Sequence, residues 1–276
     1  SGGCTGLYFF IAKEPTLFLM LRLENISVQV GSKKLLDNVS ASFLPGKMNL
    51  IIGPNGSGKS TLVKAASKQI AVCEGSIRYS EKQLMEYSYR ELAKIRAVLS
   101  QHTEVAFPLK AWEVVMMGRY PHFTNHPARI DEQIVVQAMD YFEVMSMADR
   151  DYATLSGGEK QRVNFARVLA QIWNAVPGQL RYLLLDEPLT FLDVNFQYQF
   201  MRKLIELEQK DDLVVVGVVH DLNLAARFAD YILLLNEGKV LAQGQPSEVL
   251  VEEKIEQAFK IKPVMLTHGS LNYISF

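Results

Sequence analysis

Gly53-Pro54-Asn55-Gly56-Ser57-Gly58-Lys59-Ser60 fits the pattern G-x-x-x-x-G-K-[ST] at every position. The residues before it, Met48-Asn49-Leu50-Ile51-Ile52, read as a short buried strand, and Thr61-Leu62-Val63-Lys64-Ala65-Ala66 after it as the first turns of a helix. Strand, glycine loop and helix is the context in which such an octet cradles phosphate. Its glycines can take backbone angles closed to residues with a Cβ, so successive N–H groups turn inward and form a nest for anionic oxygens. The helix beyond Lys59 points the positive end of its dipole at the same anion. Lys59 is suited to reach the β and γ phosphates of a nucleotide, and the Ser60 hydroxyl to ligate Mg²⁺.

Working outward, 276 residues with 49% apolar and 21% charged side chains describe an ordinary globular protein long enough to bury a substantial core. Twenty-nine basic against 30 acidic side chains, net charge −1, give no global electrostatic case for binding nucleic acid. Two cysteines, Cys4 and Cys73, build no disulfide framework and lie in no metal-binding spacing, so a reducing cytosol is the simplest compartment. The apolar runs Leu7–Ala12 and Leu17–Leu21 are interrupted by Lys13-Glu14-Pro15, too short to span a bilayer and without the basic start of a signal peptide. Residues 1–20 therefore read as an N-terminal extension, Ser1-Gly2-Gly3 as a tag remnant and Met20 as a natural start, the alternative being a loosely docked strand.

Leu21–Val30 and Leu35–Leu44 alternate apolar and polar residues around a turn at Gly31-Ser32-Lys33, which predicts an antiparallel β-layer leading into the phosphate-loop strand. Gly75–Tyr79 predicts a further strand and Ser88–Ile95 a helix. From Trp112 to Met147 the texture changes: an apolar segment, a break at Pro121–Pro127, then helical spacing over Ile130–Met145, which predicts an inserted helical subdomain, about 102–165. Tyr182–Leu185 and Leu213–Val219 are near-continuous leucine and β-branched runs, the mark of parallel strands buried on both faces.

Two further motifs decide the family. Leu184-Leu185-Asp186-Glu187-Pro188 puts two carboxylates at the carboxyl end of a buried strand, where open α/β sheets bind ligand. Asp186 is suited to hold Mg²⁺ through water and Glu187 to take a proton from an attacking water. Leu155-Ser156-Gly157-Gly158-Glu159-Lys160-Gln161-Arg162 opens a second helix with a serine and two glycines, a second anion-binding helix start. Locally Ser156 with Glu159 is also a capping box. The octet as a whole resembles the signature motif of the ATP-binding cassette family, which binds the nucleotide held by the opposite subunit.

That resemblance covers roughly Leu21 to Glu252 and carries further implications. It implies an α/β fold: a P-loop NTPase core with a mostly parallel sheet, an N-terminal antiparallel β-layer and an inserted α-helical subdomain, with 253–276 as a C-terminal tail. It implies ATP and Mg²⁺ as ligands. ATP would bind Gly53, Pro54, Asn55, Gly56, Ser57, Gly58, Lys59, Ser60 and Thr61, and, from the other subunit, Ser156, Gly157, Gly158 and Glu159. Gln101 resembles the lid glutamine that touches Mg²⁺ and the membrane partner, which makes Ser60, Gln101 and Asp186 the metal set. Asp193 matches the loop that communicates across the dimer, and His220, directly after the Val214–Val219 strand, the switch histidine at the γ-phosphate. Glu187, His220, Gln101 and Lys59 are then the catalytic set.

There are departures. Val30 stands where the family usually stacks an aromatic ring on adenine, and such stacking is worth about 1–3 kcal/mol per base. Leu189-Thr190 replaces the usual small hydroxyl pair after Glu187-Pro188, without an evident consequence.

The subfamily signal is Glu113-Val114-Val115-Met116-Met117-Gly118-Arg119-Tyr120-Pro121-His122. It resembles the helical subdomain of ATPases serving importers of iron chelates, haem and cobalamin. The plainer reading is that Arg119 and His122 cap a helix end. Ala166–Trp173 followed by the loop Asn174–Gln179 looks like the haem importers in particular, with ferric siderophore and cobalamin as the alternatives and a soluble, non-transport ATPase behind them. The implied partners are a second copy of this chain, an integral-membrane permease dimer and an extracytoplasmic substrate-binding protein acting through it, with no nucleic acid. The implied location is the cytoplasmic face of the inner membrane.

Overall fold

The computed structural model describes residues 20–100, 108–208, 212–268 and 271–276. Two sheets share one layer of core. Strands β1 (Leu21–Val30), β2 (Lys33–Phe43), β4 (Glu74–Tyr79) and β5 (Lys82–Gln83) form an antiparallel sheet in the order β2-β1-β4-β5. The hairpin β1–β2 slips register near Asn25 and Asn38, both at positive φ, where asparagine is among the few side chains that tolerate the left-handed conformation.

The second sheet runs β10-β9-β3-β8-β7-β6. Its strands β3 (Met48–Ile52), β6 (Arg96–Leu99), β7 (Arg181–Leu185), β8 (Leu213–Val218) and β9 (Tyr231–Asn236) pair in parallel, and β10 (Lys239–Gly244) adds an antiparallel edge. Every residue of β3, β7 and β8 is buried, as their unbroken apolar character predicts. Successive side chains take opposite faces. Ile51, Leu184 and Val216 join the antiparallel sheet and helix α1 (Lys59–Ala66) in one cluster. Leu50, Leu185 and Val215 join the helices on the other face.

Helix α2 (Tyr89–Ile95) follows the antiparallel sheet, begun by Ser88 and Glu91 as a capping box. The helical segment comprises α3 (Ala111–Met116), a 3₁₀ stretch Met117–His122, α4 (Arg129–Tyr141) and α5 (Gly157–Gln171). Two expectations are corrected. The break expected from Pro121 begins only after the 3₁₀ stretch, which includes that proline. The helix expected over Ile130–Met145 stops at Tyr141, because Glu143 turns to φ 56° and Met145–Met147 form a separate 3₁₀ turn. Helix α5 runs unbroken across residue 165, where the helical insertion was expected to end.

Helices α6 (Val194–Glu208) and α7 (Leu222–Phe228) complete the crossovers to β8 and β9. Beyond β10 come α8 (Pro246–Val249), α9 (Glu252–Phe259) and the hairpin β11 (Val264–His268) and β12 (Leu271–Ser275). Ile255, Ala258 and Ile274 are buried in the helical-face cluster, and Asn223 of α7 exchanges two hydrogen bonds with the backbone of Ile274. The segment 253–276 thus continues the fold. No helix among the described residues is long and apolar enough to cross a membrane.

Candidate functional site

Strand β3 delivers the glycine loop to the carboxyl edge of the parallel sheet and α1 leads away from it. Gly53, at φ 147°, and Gly58, at φ 103°, are fixed by their neighbours: a Cβ would stand 2.2 Å from the Leu235 carbonyl oxygen at the first and 2.7 Å from Leu36 at the second. Lys59 folds back over the loop and its Nζ donates to the carbonyls of Gly53 and Pro54 at 2.8 and 2.9 Å. Burial pushes its ammonium pKa down, while Glu187 and Asp186 oppose the shift. The Ser57 hydroxyl is buried beneath the loop with no hydrogen-bond partner among the described residues. A concave backbone, a lysine held by carbonyls and an orphaned hydroxyl together fit a phosphate chain.

At the end of β7, Asp186 accepts a hydrogen bond from the Ser60 hydroxyl at 2.9 Å and is itself buried. Burial pushes its pKa up, with Ser60 pulling the other way. A serine oxygen and one carboxylate oxygen are hard donors for Mg²⁺, too few for a closed cage. They suit an ion that keeps water and shares substrate phosphate. Among the described residues no group of three or more His, Cys, Asp or Glu side chains is placed to hold a metal ion.

Glu187 follows at φ 54°, an unusual conformation for a side chain of that size. His220 Nε2 lies 2.7 Å from Glu187 Oε1. The histidine stands at the exit of β8, where Asp221 caps α7 through the amides of Asn223 and Leu224 and so fixes the turn.

Asn55, Gly56, Gly58, Lys59, Ser60, Thr61 and Glu187 line one open cleft with Lys33, Lys34, Leu35, Glu237 and Gly238. The last five were not expected. Lys33 and Lys34 follow the β1–β2 turn, so proximity to Val30 was their signal. Glu237-Gly238 comes from the β9–β10 turn, which nothing in the linear sequence ties to the loop. Val30 itself is 64% exposed. Gln101 lies outside the described residues.

Ser156, Gly157, Gly158 and Glu159 contribute nothing to the lining of that cleft. They open α5, where the Ser156 hydroxyl accepts from the Glu159 amide, Glu159 accepts from the Ser156 amide at 2.7 Å, and Arg150 pairs with Glu159. The Ser156 amide and hydroxyl, then Arg150, hold the Glu159 carboxyl down to about 2. A Cβ on Gly157 or Gly158 would meet nothing nearer than 3.6 Å, and neither has positive φ. Their neighbour is the loop after Glu187: Gln161 donates to the Pro188 carbonyl at 2.7 Å, and Phe191, at φ 70°, stands 66% exposed beside Gly157. Asp193, also exposed, caps α6 through the Phe196 amide.

Arg119 and His122 do cap a helix end, that of α5. Arg119 donates to the Ala170 carbonyl at 2.7 Å and pairs with Asp131 at 2.9 Å, and His122 Nε2 reaches the Gln171 carbonyl at 2.7 Å.

A family model described as ABC transporter matches residues 36–190. The hemin import ATP-binding protein of Gloeobacter violaceus is 44% identical over 252 residues, 91% of each chain. Its counterpart in Escherichia coli O157:H7 is 39% identical over 240 residues, 87% of this chain and 92% of the relative. Among solved structures, a dimeric bacterial ABC transporter cassette superposes with a TM-score of 0.70 at 26% identity, covering 82% of this chain and 99% of that one.

Proposed function

This chain belongs to the ABC transporter family, and we propose that it is the ATP-binding and hydrolysing subunit of a haem importer. It acts as a pair of identical subunits at the cytoplasmic face of the inner membrane, under a permease dimer that receives haem from an extracytoplasmic binding protein. The haem reading is supported by the hemin import relatives, similar over most of their length, and by Ala166–Trp173 with the loop Asn174–Gln179 that follows it.

One observation carries the paired arrangement. The two glycine clusters obey different constraints. Gly53 and Gly58 are glycine because this chain's own atoms leave no room for a Cβ. Gly157 and Gly158 have room, lie at the exposed start of a 15-residue helix, and are absent from the cleft. The crowding that selects glycine there comes from outside the protomer, and a nucleotide held by a second copy supplies it.

Each ATP then lies between one protomer's Gly53–Ser60 loop, with Thr61, and the other protomer's Ser156-Gly157-Gly158, with Glu159 holding that helix start in shape. Lys59 exchanges its carbonyl partners for the β and γ phosphates. Ser60 and Asp186, with Gln101, would hold Mg²⁺, which when bound neutralises charge on the phosphate oxygens. Water is oriented by His220 and gives its proton to Glu187 as its oxygen attacks the γ-phosphorus, and ADP leaves from the opposite side. The 2.7 Å contact with His220 ties the Glu187 carboxylate to the exit of β8. Asp193 stands next to the exposed Phe191 loop that faces the second copy. Loss of the γ-phosphate removes what joins the two halves, and the pair opens.

The test is Glu187→Gln. Loss of a general base costs about 10²–10⁴ in rate, so this variant should bind ATP, accumulate as a stable dimer in size-exclusion chromatography and barely turn over. Near-normal hydrolysis would remove Glu187 from its role. For the cargo, ATPase activity with the permease in vesicles should rise with haem and its binding protein. Stimulation by a ferric siderophore or cobalamin instead would overturn the haem assignment.

A further inference from the structure

The contacts at the far end of α5 form a closed hub. The carbonyls of Ala170, Gln171 and the C-cap Ile172 would be orphan acceptors of a helix end, and that of Trp173 follows them. Each takes a side-chain donor: Arg119 at 2.7 Å, His122 at 2.7 Å, and Arg181 at 2.8 and 3.0 Å. Arg119 and Arg181 are in turn held by Asp131 and Asp212, the first pair with only 4% and 5% of the side chains exposed. Gly118 allows the approach, since a Cβ there would stand 2.2 Å from the Arg167 carbonyl oxygen.

The Gln171 side chain does something different. Its Nε2 donates to the carbonyls of Ala93 at 2.7 Å and Arg96 at 2.9 Å, the last turn of α2 and the first residue of β6. One residue thereby joins the foot of the helix that starts at Ser156 to the junction whose strand leads to Gln101. Helix α5 spans about 22 Å at 1.5 Å per residue, so a small tilt of α2–β6 at its foot is carried to Ser156 at its head.

We propose that Gln171 is a positioning residue for ATP-driven pairing, setting the angle at which α5 presents Ser156-Gly157-Gly158 to the nucleotide of the second copy, with Arg119 and His122 as the bearing. This rests on the paired-site reading above. The test uses Glu187→Gln as parent and adds Gln171→Met, similar in size but without the amide donor. Binding of a fluorescent ATP analogue to the single protomer and the thermal midpoint should stay near those of the parent. The ATP concentration needed for dimer formation in size-exclusion chromatography should rise at least tenfold.

Dimerisation equal to the parent's overturns the proposal. A loss of dimerisation matched by an equal loss of analogue binding overturns it too, as a merely structural role would do that. Failure of the parent itself to dimerise would sink the paired-site reading instead. As a second route, His122→Gln, which keeps a donor for the Gln171 carbonyl, should dimerise like the parent, and His122→Phe should behave like Gln171→Met. Equal behaviour of those two variants also overturns the proposal.

Discussion

Replacing Arg119 by Met removes one half of a buried ion pair and leaves the other. Asp131 is 5% exposed, and among the described residues it accepts, apart from Arg119, only from the Ala128 amide, at 2.9 Å. The Ala170 carbonyl loses its donor as well. Stranding one member of a buried pair costs about 3–5 kcal/mol. For a chain somewhat larger than the 150–250 residues for which 1 kcal/mol shifts the midpoint by about 2–4 °C, the thermal midpoint should fall by about 6–15 °C. The double variant Arg119→Met, Asp131→Leu should recover at least half of that loss, because replacing both partners by apolar groups of similar volume is close to neutral. Ala128 is exposed, so water can replace Asp131 at its amide. Calorimetry or circular dichroism melting of wild type, both singles and the double gives the coupling directly. A double variant no more stable than Arg119→Met would show that the loss comes from packing around the guanidinium stem, not from the stranded carboxylate.

Val30→Tyr should restore a stacking surface and tighten ATP by roughly tenfold, the equivalent of about 1–3 kcal/mol per base, while leaving turnover at saturating ATP unchanged; titration calorimetry with unchanged affinity would place adenine elsewhere. The capping box should give α5 an acid-sensitive start. The Glu159 carboxyl is lowered in the fold to about 2 from an ordinary 4.5. Its contribution is therefore complete above about pH 4.5 and is lost as pH falls toward 2. The difference in thermal midpoint between wild type and Glu159→Ala should shrink as pH is lowered from 6 through 4, and a difference that grew would contradict the assignment.

The parts of the site that the sequence made legible are those built from consecutive residues. The octet Gly53–Ser60 works through its own backbone and the helix it opens. The Ser156–Glu159 capping box closes over three residues. Asp186, Glu187 and His220 stand at the ends of strands whose apolar runs are unmistakable. What escaped was set by distant approach. Arg119 meets Ala170 51 positions away and His122 meets Gln171 49 positions away, so the same residues served equally well as a subfamily mark or a helix cap until α5 was seen to run beneath them. The end of α4 depends on one residue, Glu143, taking φ 56°, which its type does not announce. The hairpin β11–β12 is pinned by the Asn223 amide across 51 residues.

The two ends of α5 are held by contacts of different kinds. At the foot, carbonyl after carbonyl is taken by an arginine or histidine side chain, arginine being a cation that a helix carboxyl end favours, and the Arg119–Asp131 pair is sealed from water. At the head, the groups that cap the helix are exposed or half exposed: Ser156 and Gly157 lie open, and the Arg150–Glu159 pair keeps 47% and 21% of its side chains in solvent. Exposed pairs contribute about 0–1 kcal/mol, against several for a buried pair that is broken. The helix is thus held more firmly at its foot than at its head. The head is then free to follow a nucleotide that a second copy presents, and the only polar tie from α5 itself back toward the Glu187 loop is Gln161 to the Pro188 carbonyl among the described residues. Under the proposal above, Gln171 at the foot sets the angle of a head that this hydrogen bond ties to the loop after Glu187.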